Sequence, residues 1–216
     1  MKKIILLSTA ALVLSPLAAK ANSKSSIMVG LKGMWERLAT SDSSAAGDNI
    51  KKAHEGENFW SGGLEGYYTY KVWKNLQIAA GASVTFIPKH TFSDTNKALL
   101  QEMQANTERG SRWGFSPRLM VGWAIPVTES VEITPFLGTG VDGMFFEQEK
   151  AGKKEWTSQW KMPVLLGARV NYSYFYASLA GRFDATATDL FEGRDVAGAK
   201  ADARFGGIEL SIGAEF

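Results

Sequence analysis

The sequence predicts an all-β fold, an eight-stranded antiparallel up-and-down transmembrane β-barrel preceded by a cleavable signal peptide. Three observations predict it. Hydrophobicity alternates with period two in runs of about ten residues or more. The connections between runs alternate short and long, and charge is confined to one parity of each run.

The composition is compatible with this. The chain has 216 residues, 24 Lys+Arg against 22 Asp+Glu, 22 Gly and no Cys. Without Cys there is no disulfide and no thiolate metal site. A formal net charge of +2, with both signs interspersed, excludes the basic footprint of a nucleic-acid binder. A mean hydropathy of −0.12 looks soluble, but a barrel strand alternates apolar and polar residues and so averages to that value.

Met1-Lys2-Lys3 is a basic start, Ile4 to Leu14 a short apolar run, Pro16 a breaker, and Ala19-Lys20-Ala21 a small-x-small cleavage site. Residues 1–21 therefore read as a secretory signal peptide and residues 22–216 as the barrel domain. Removing Lys2, Lys3 and Lys20 leaves 21 basic against 22 acidic side chains.

Eight alternating runs follow in order. The first puts Ile27, Val29, Leu31, Gly33 and Trp35 on one face, and the second Trp60, Gly62, Leu64, Gly66, Tyr68 and Tyr70. Leu76 to Phe86 form the third stripe, and Trp113, Phe115, Pro117, Leu119, Val121 and Trp123 the fourth. The fifth runs from Val131 through Leu137 to Phe145, the sixth from Trp160 to Val170, and the seventh from Phe175 to Phe183. Ile208, Leu210, Ile212, Ala214 and Phe216 end the chain.

Tight turns are expected around Trp73-Lys74-Asn75, Pro126 to Ser130 and Asn171 to Tyr174. Long polar loops are expected at Leu38 to Asn58, Pro88 to Ser111, Glu147 to Glu155 and Thr186 to Asp202. Short turns at one end and long loops at the other are the pattern of an outer-membrane barrel, with both termini on the periplasmic side.

Period two also describes a soluble sandwich or a lipocalin-type cup, so the content of the two faces must decide. The apolar parity carries no charge in the strand cores. The other parity holds Lys32, Lys71, Arg112, Arg118, Lys161, Arg169 and Arg182 with Glu36, Glu65, Glu132, Asp142, Asp184, Glu209 and Glu215. Seven charges of each sign suit the narrow interior of an eight-stranded barrel, where pairing offsets the cost of burial. Aromatic residues gather at both ends of the stripes: Trp35, Trp60, Phe86, Trp113, Phe145, Trp156 and Phe183 near the long loops, and Tyr70, Trp73, Trp123, Tyr172, Tyr174, Phe175 and Phe216 near the turns. Two girdles place amphipathic rings at two headgroup interfaces.

On these residues the whole mature chain resembles the small outer-membrane β-barrels of Gram-negative bacteria, of the OmpA-like and opacity-protein type. The alternation of Ile208, Leu210, Ile212 and Ala214 into Phe216 is similar to the assembly signal that the barrel-insertion machinery reads in that family. The resemblance implies an outer-membrane location, contact with outer-membrane lipid and lipopolysaccharide, and host or envelope proteins as partners of the loops. No peptidoglycan-binding domain is expected, and no cofactor or metal.

Other sites weigh little. Gly33-Met34-Trp35 matches the lipocalin G-x-W in three residues only. Lipid A acylases and deacylases of similar size need a His and Ser arrangement. Here His54 lies in a polar loop and His90 at a strand mouth, both expected to be solvated. The acidic pairs Glu147/Glu149 and Asp189/Glu192 read as solvated loop charge. In the second long loop Ser93 or Asp94 caps a helix through Ala98, Leu99, Leu100 and Met103, stopped by Gly110, which packs on the barrel rim.

Two function classes remain. One is a non-enzymatic envelope or surface-interaction barrel displaying four loops. The other is a narrow pore, for which small inward residues such as Gly30, Gly63, Gly81, Gly114, Gly122, Gly138, Gly140 and Gly167 leave room. A salt-bridged interior favours the first.

Overall fold

The computed structural model describes residues 24–44, 47–102, 108–150, 153–190 and 201–216. The expected signal peptide, Met103 and Glu192 lie outside these residues, as do the side chains of Glu149 and Asp189.

In chain order the elements are β1 (Ser25–Ser43), α1 (Asp48–Glu55), β2 (Asn58–Trp73), β3 (Leu76–Ile87), α2 (Asp94–Glu102), β4 (Arg112–Trp123), β5 (Val131–Gly140), β6 (Asp142–Lys150), β7 (Lys153–Lys161), β8 (Pro163–Tyr172), β9 (Phe175–Asp184) and β10 (Ala201–Glu215). β5 and β6 form one barrel strand and β7 and β8 another, with unbroken register across each gap. The gaps have a cause in the sequence. Val141 faces Pro117, which has no N–H to give; only the Val141 amide bonds, to the Pro117 carbonyl at 3.1 Å. Met162 precedes Pro163 and donates its amide to Thr186 Oγ1 at 2.8 Å.

Eight antiparallel strands thus close on themselves, β1 pairing both with β2 and with β10. The last residue completes the seam: Phe216 N donates to Ile27 O and Ile27 N to Phe216 O, each at 2.9 Å. Two connections are two-residue hairpins, and their first residues, Lys74 (φ 44°) and Ser173 (φ 53°), take the positive φ that primed turns require.

Parity divides the barrel as the sequence predicts. Ile27, Leu31, Leu64, Val84, Leu119, Leu137, Leu166, Leu179, Leu210 and Ile212 point outward and are exposed, Leu166 at 70%. A continuous apolar belt this size is far beyond the exposed patches of soluble monomers. Ring contacts tie the girdles together: Trp113 stacks on Phe145 at 4.6 Å, Phe145 meets Trp160 at 5.7 Å, and at the turn end Trp73 meets Trp123 at 6.5 Å.

The long-loop end departs from expectation in three ways. β1 runs on to Ser43 along β10 through a β-bulge between Leu38 and Thr40, so the first loop begins later than Leu38. The Glu147–Glu155 connection is no loop: β6 and β7 continue as a paired ribbon, in which β7 pairs only with β6 among the described residues. Backbone pairing satisfies that polar stretch better than a solvated loop does. Trp156 therefore stands on the ribbon, and Trp160 takes the girdle position, covering Gly143.

Candidate functional site

Eight of the predicted interior charges meet in one cluster across the lumen. Arg182 from β9 is its centre: it reaches Glu36 of β1 at 3.0 Å, Asp142 of β6 at 2.5 Å, Asp184 at 2.9 Å and Glu209 of β10 at 3.1 Å. Arg118 of β4 pairs with Asp142 at 2.7 Å and Glu209 at 3.4 Å. Lys161 of β7 bridges Glu36 at 2.8 Å and Asp184 at 3.1 Å, and Lys32 of β1 meets Glu209 at 2.8 Å. Four cations and four carboxylates therefore neutralise one another, and all eight residues are buried. Their bonds cross the lumen between β1, β4, β6, β7, β9 and β10.

The other predicted charges lie outside this cluster. Toward the turn end, Tyr176 donates to Glu65 at 2.8 Å, Arg169 donates to Gln77 at 2.8 Å, and Gln77 donates to Glu132 at 3.0 Å. Lys71, partly exposed at the mouth, reaches Glu132 at 3.2 Å. Glu215 accepts from Asn171 and Ser26, both at 2.5 Å. Here Met28, Tyr67 and Tyr176 cluster with Met120, and Met28, Tyr67 and Met120 line a small pocket together with Glu65, Gln77 and Arg169. At the long-loop end Arg112 lies over the Phe146 ring at 4.2 Å.

Above the cluster the loops build a core of their own. Ile50 and Ala53 of α1, Phe59, Phe92, Leu100 of α2, Leu190, and Ala201, Ala203 and Phe205 of β10 pack together. This corrects two expectations. The second-loop helix buries Leu100 in that core beside α1, rather than on the barrel rim, and leaves Ala98 exposed. His54 is not solvated but buried, with Nδ1 2.8 Å from Ile50 O and its ring 4.9 Å from Phe92, while His90 keeps part of its side chain exposed. His90 packs on Phe59 at 4.7 Å, with Nε2 3.0 Å from Glu57.

Glu57 is the residue that sequence reasoning missed. Its carboxylate accepts from the Ser93 amide at 3.0 Å and from Asn96 at 2.6 Å, tying the base of β2 to the start of α2. Burial pushes its pKa up, but the Ser93, Asn96 and His90 hydrogen bonds outweigh that and hold it below the usual glutamate range. The available signal was its position between a helix and a strand, which charge alone did not distinguish from its neighbours. Among the described residues no group of His, Asp and Glu has the geometry to hold a metal ion.

No family model matches the chain, and no curated protein matches its sequence. Solved structures similar to it include Neisserial surface protein A, at 13% identity and TM-score 0.47, the match covering 90% of this chain and 98% of that one. The attachment invasion locus protein Ail of Yersinia pestis, solved with the heparin analogue sucrose octasulfate, matches at 14% identity and TM-score 0.45, covering 89% and 97%. The outer membrane protease OmpT of Escherichia coli matches at 8% identity and TM-score 0.37, covering 89% and 96%. These likenesses add nothing to the barrel architecture that the strand pairing already establishes, and they do not decide function.

Proposed function

We propose that the protein is a non-enzymatic integral outer-membrane barrel whose lumen is closed and whose working surface is the cap built by its long loops. The observation that carries this reading is the neutral eight-charge cluster spanning the lumen. Breaking it exposes several buried charges at once, so the closed state is strongly favoured over an open channel. The exposed apolar belt between two aromatic girdles supports the membrane location. In this reading Ile208, Leu210, Ile212, Ala214 and Phe216, on the closing strand, form the assembly signal. The cap is the part offered to a host or envelope protein. His54 and His90 serve packing and the Glu57 contact, not catalysis.

Conductance across a planar bilayer tests the proposal. Protein shown to be folded by its heat-dependent gel migration gives no discrete steps. Stable ion-selective steps would make it a pore and overturn the closed-lumen reading.

A further inference from the structure

At the turn end the barrel mouth holds a recess of about 360 Å³, between the turn that joins β4 to β5 and the turn that joins β8 to β9. Its lining carries three carboxylates, Glu129, Glu132 and Glu215, and one cation, Lys71. The carboxylates stand at different depths: Glu215 is buried and Glu132 half-buried, whereas Glu129 is exposed on the turn.

Excess negative charge alone marks no site, but this recess also lacks a hydrogen-bond donor at a fixed point. Asn171, only 6% exposed, faces Glu132 across the β5–β8 pair and lines the same recess. Its Nδ2 donates to Glu215, which fixes the amide, because the reversed orientation would set Oδ1 against a carboxylate oxygen. Oδ1 is thereby left on the other side of the amide, buried and without a partner among the described residues. A buried amide oxygen normally accepts a hydrogen bond, and leaving it unmade is costly. Lys71 does not supply the donor: its ammonium lies on Glu132 at 3.2 Å, at the end of a side chain that is 43% exposed. Among the described residues no group of His, Asp and Glu has the geometry to hold a metal ion, so the missing partner is a cation that carries N–H bonds.

We propose that this recess binds a small alkyl diammonium ion, a cation of the polyamine class. An ammonium has three donors and no acceptor, so one end gives a hydrogen to Asn171 Oδ1 and turns the others to Glu132 and Glu215. The second ammonium meets Glu129 at the rim, and the alkyl chain between them lies along Pro126 and Val131, which line the same recess. The site rests on the barrel reading above and is independent of the cap.

Nuclear magnetic resonance titration of the refolded protein in zwitterionic detergent micelles, following the side-chain amide of Asn171, tests this. The probes are 1,4-diaminobutane, butylamine, and sodium chloride at matched ionic strength. Heat-dependent gel migration first confirms that every variant is folded. The diamine should shift the Asn171 amide saturably, and butylamine, which lacks the rim contact, should bind about threefold more weakly. Glu129→Gln should erase that difference. Lys71→Met removes the competing ammonium and should tighten diamine binding about fivefold. Lys74→Gln removes the same charge from the neighbouring turn, where the ammonium lies over the Trp73 ring outside the recess, and should leave binding unchanged. Equal affinity for the two amines overturns the diammonium assignment. A shift that sodium chloride reproduces, or equal tightening in Lys71→Met and Lys74→Gln, overturns the site in favour of general cation attraction. A chain that never gives a heat-modifiable band overturns the barrel reading and this site with it, whereas a folded barrel that neither amine saturates overturns this site alone.

Discussion

At the scale of single residues, the interior is decided by how many partners a buried charge serves. Arg182 faces four carboxylates with essentially no exposed side-chain surface, so replacing it by Met leaves Glu36, Asp142, Asp184 and Glu209 with too few cations. Removing one member of a buried ionic group costs about 3 to 5 kcal/mol, most of it from the charges left behind. Lys71→Met is the contrasting case. Its side chain is 43% exposed and meets one carboxylate, so the loss should stay below about 1 kcal/mol. Urea unfolding from lipid vesicles measures both. Equal midpoint shifts would mean that the cluster is no more than a set of independent surface-like pairs. Arg182→Lys should fall between, because a single ammonium cannot serve the four directions that a guanidinium reaches.

At the scale of elements, the contrast is between strands and loops. Strand parity was legible because a one-residue slip would put every charge of a strand into lipid, so the pattern is enforced at each position. The loop core was only partly legible: the apolar face of Leu99 and Leu100 marked a helix, but its partners Ile50, Phe92 and Leu190 come from segments far apart and meet it only in three dimensions. Glu57 joins these segments, and its lowered pKa gives the cap a pH dependence of definite sign. A carboxyl whose folded pKa is depressed contributes stability in full above the ordinary glutamate range and loses it as pH falls through the folded pKa. Hydrogen exchange in α2, which follows Ser93, should therefore quicken as pH drops through and below that range, after correction for the intrinsic pH dependence. Glu57→Gln should show the fast exchange already at neutral pH. An acid response that survives in Glu57→Gln would place the switch elsewhere.

At the scale of the whole molecule, the fold inverts the usual arrangement: the apolar surface faces out as a belt and the charges face in. That inversion is stable only if lipid replaces water around the belt, and it leaves only the two ends wet. The short hairpins at Lys74 and Ser173 and the closing Phe216 lie at one end, and α1, α2 and the β6–β7 ribbon at the other. Because the two ends differ in everything but the strands that join them, orientation is a property of the chain, and it can be read with single labels. The protein contains no Cys, so one introduced thiol is the only target for a membrane-impermeant maleimide. In intact cells Lys52→Cys, on the loop helix, should label, and Lys74→Cys, in the two-residue turn, should label only after the outer membrane is permeabilised. Labelling of Lys74→Cys in intact cells, with Lys52→Cys protected, would invert the barrel. The loop cap would then face the periplasm, and a role for it at the cell surface would fall with that result.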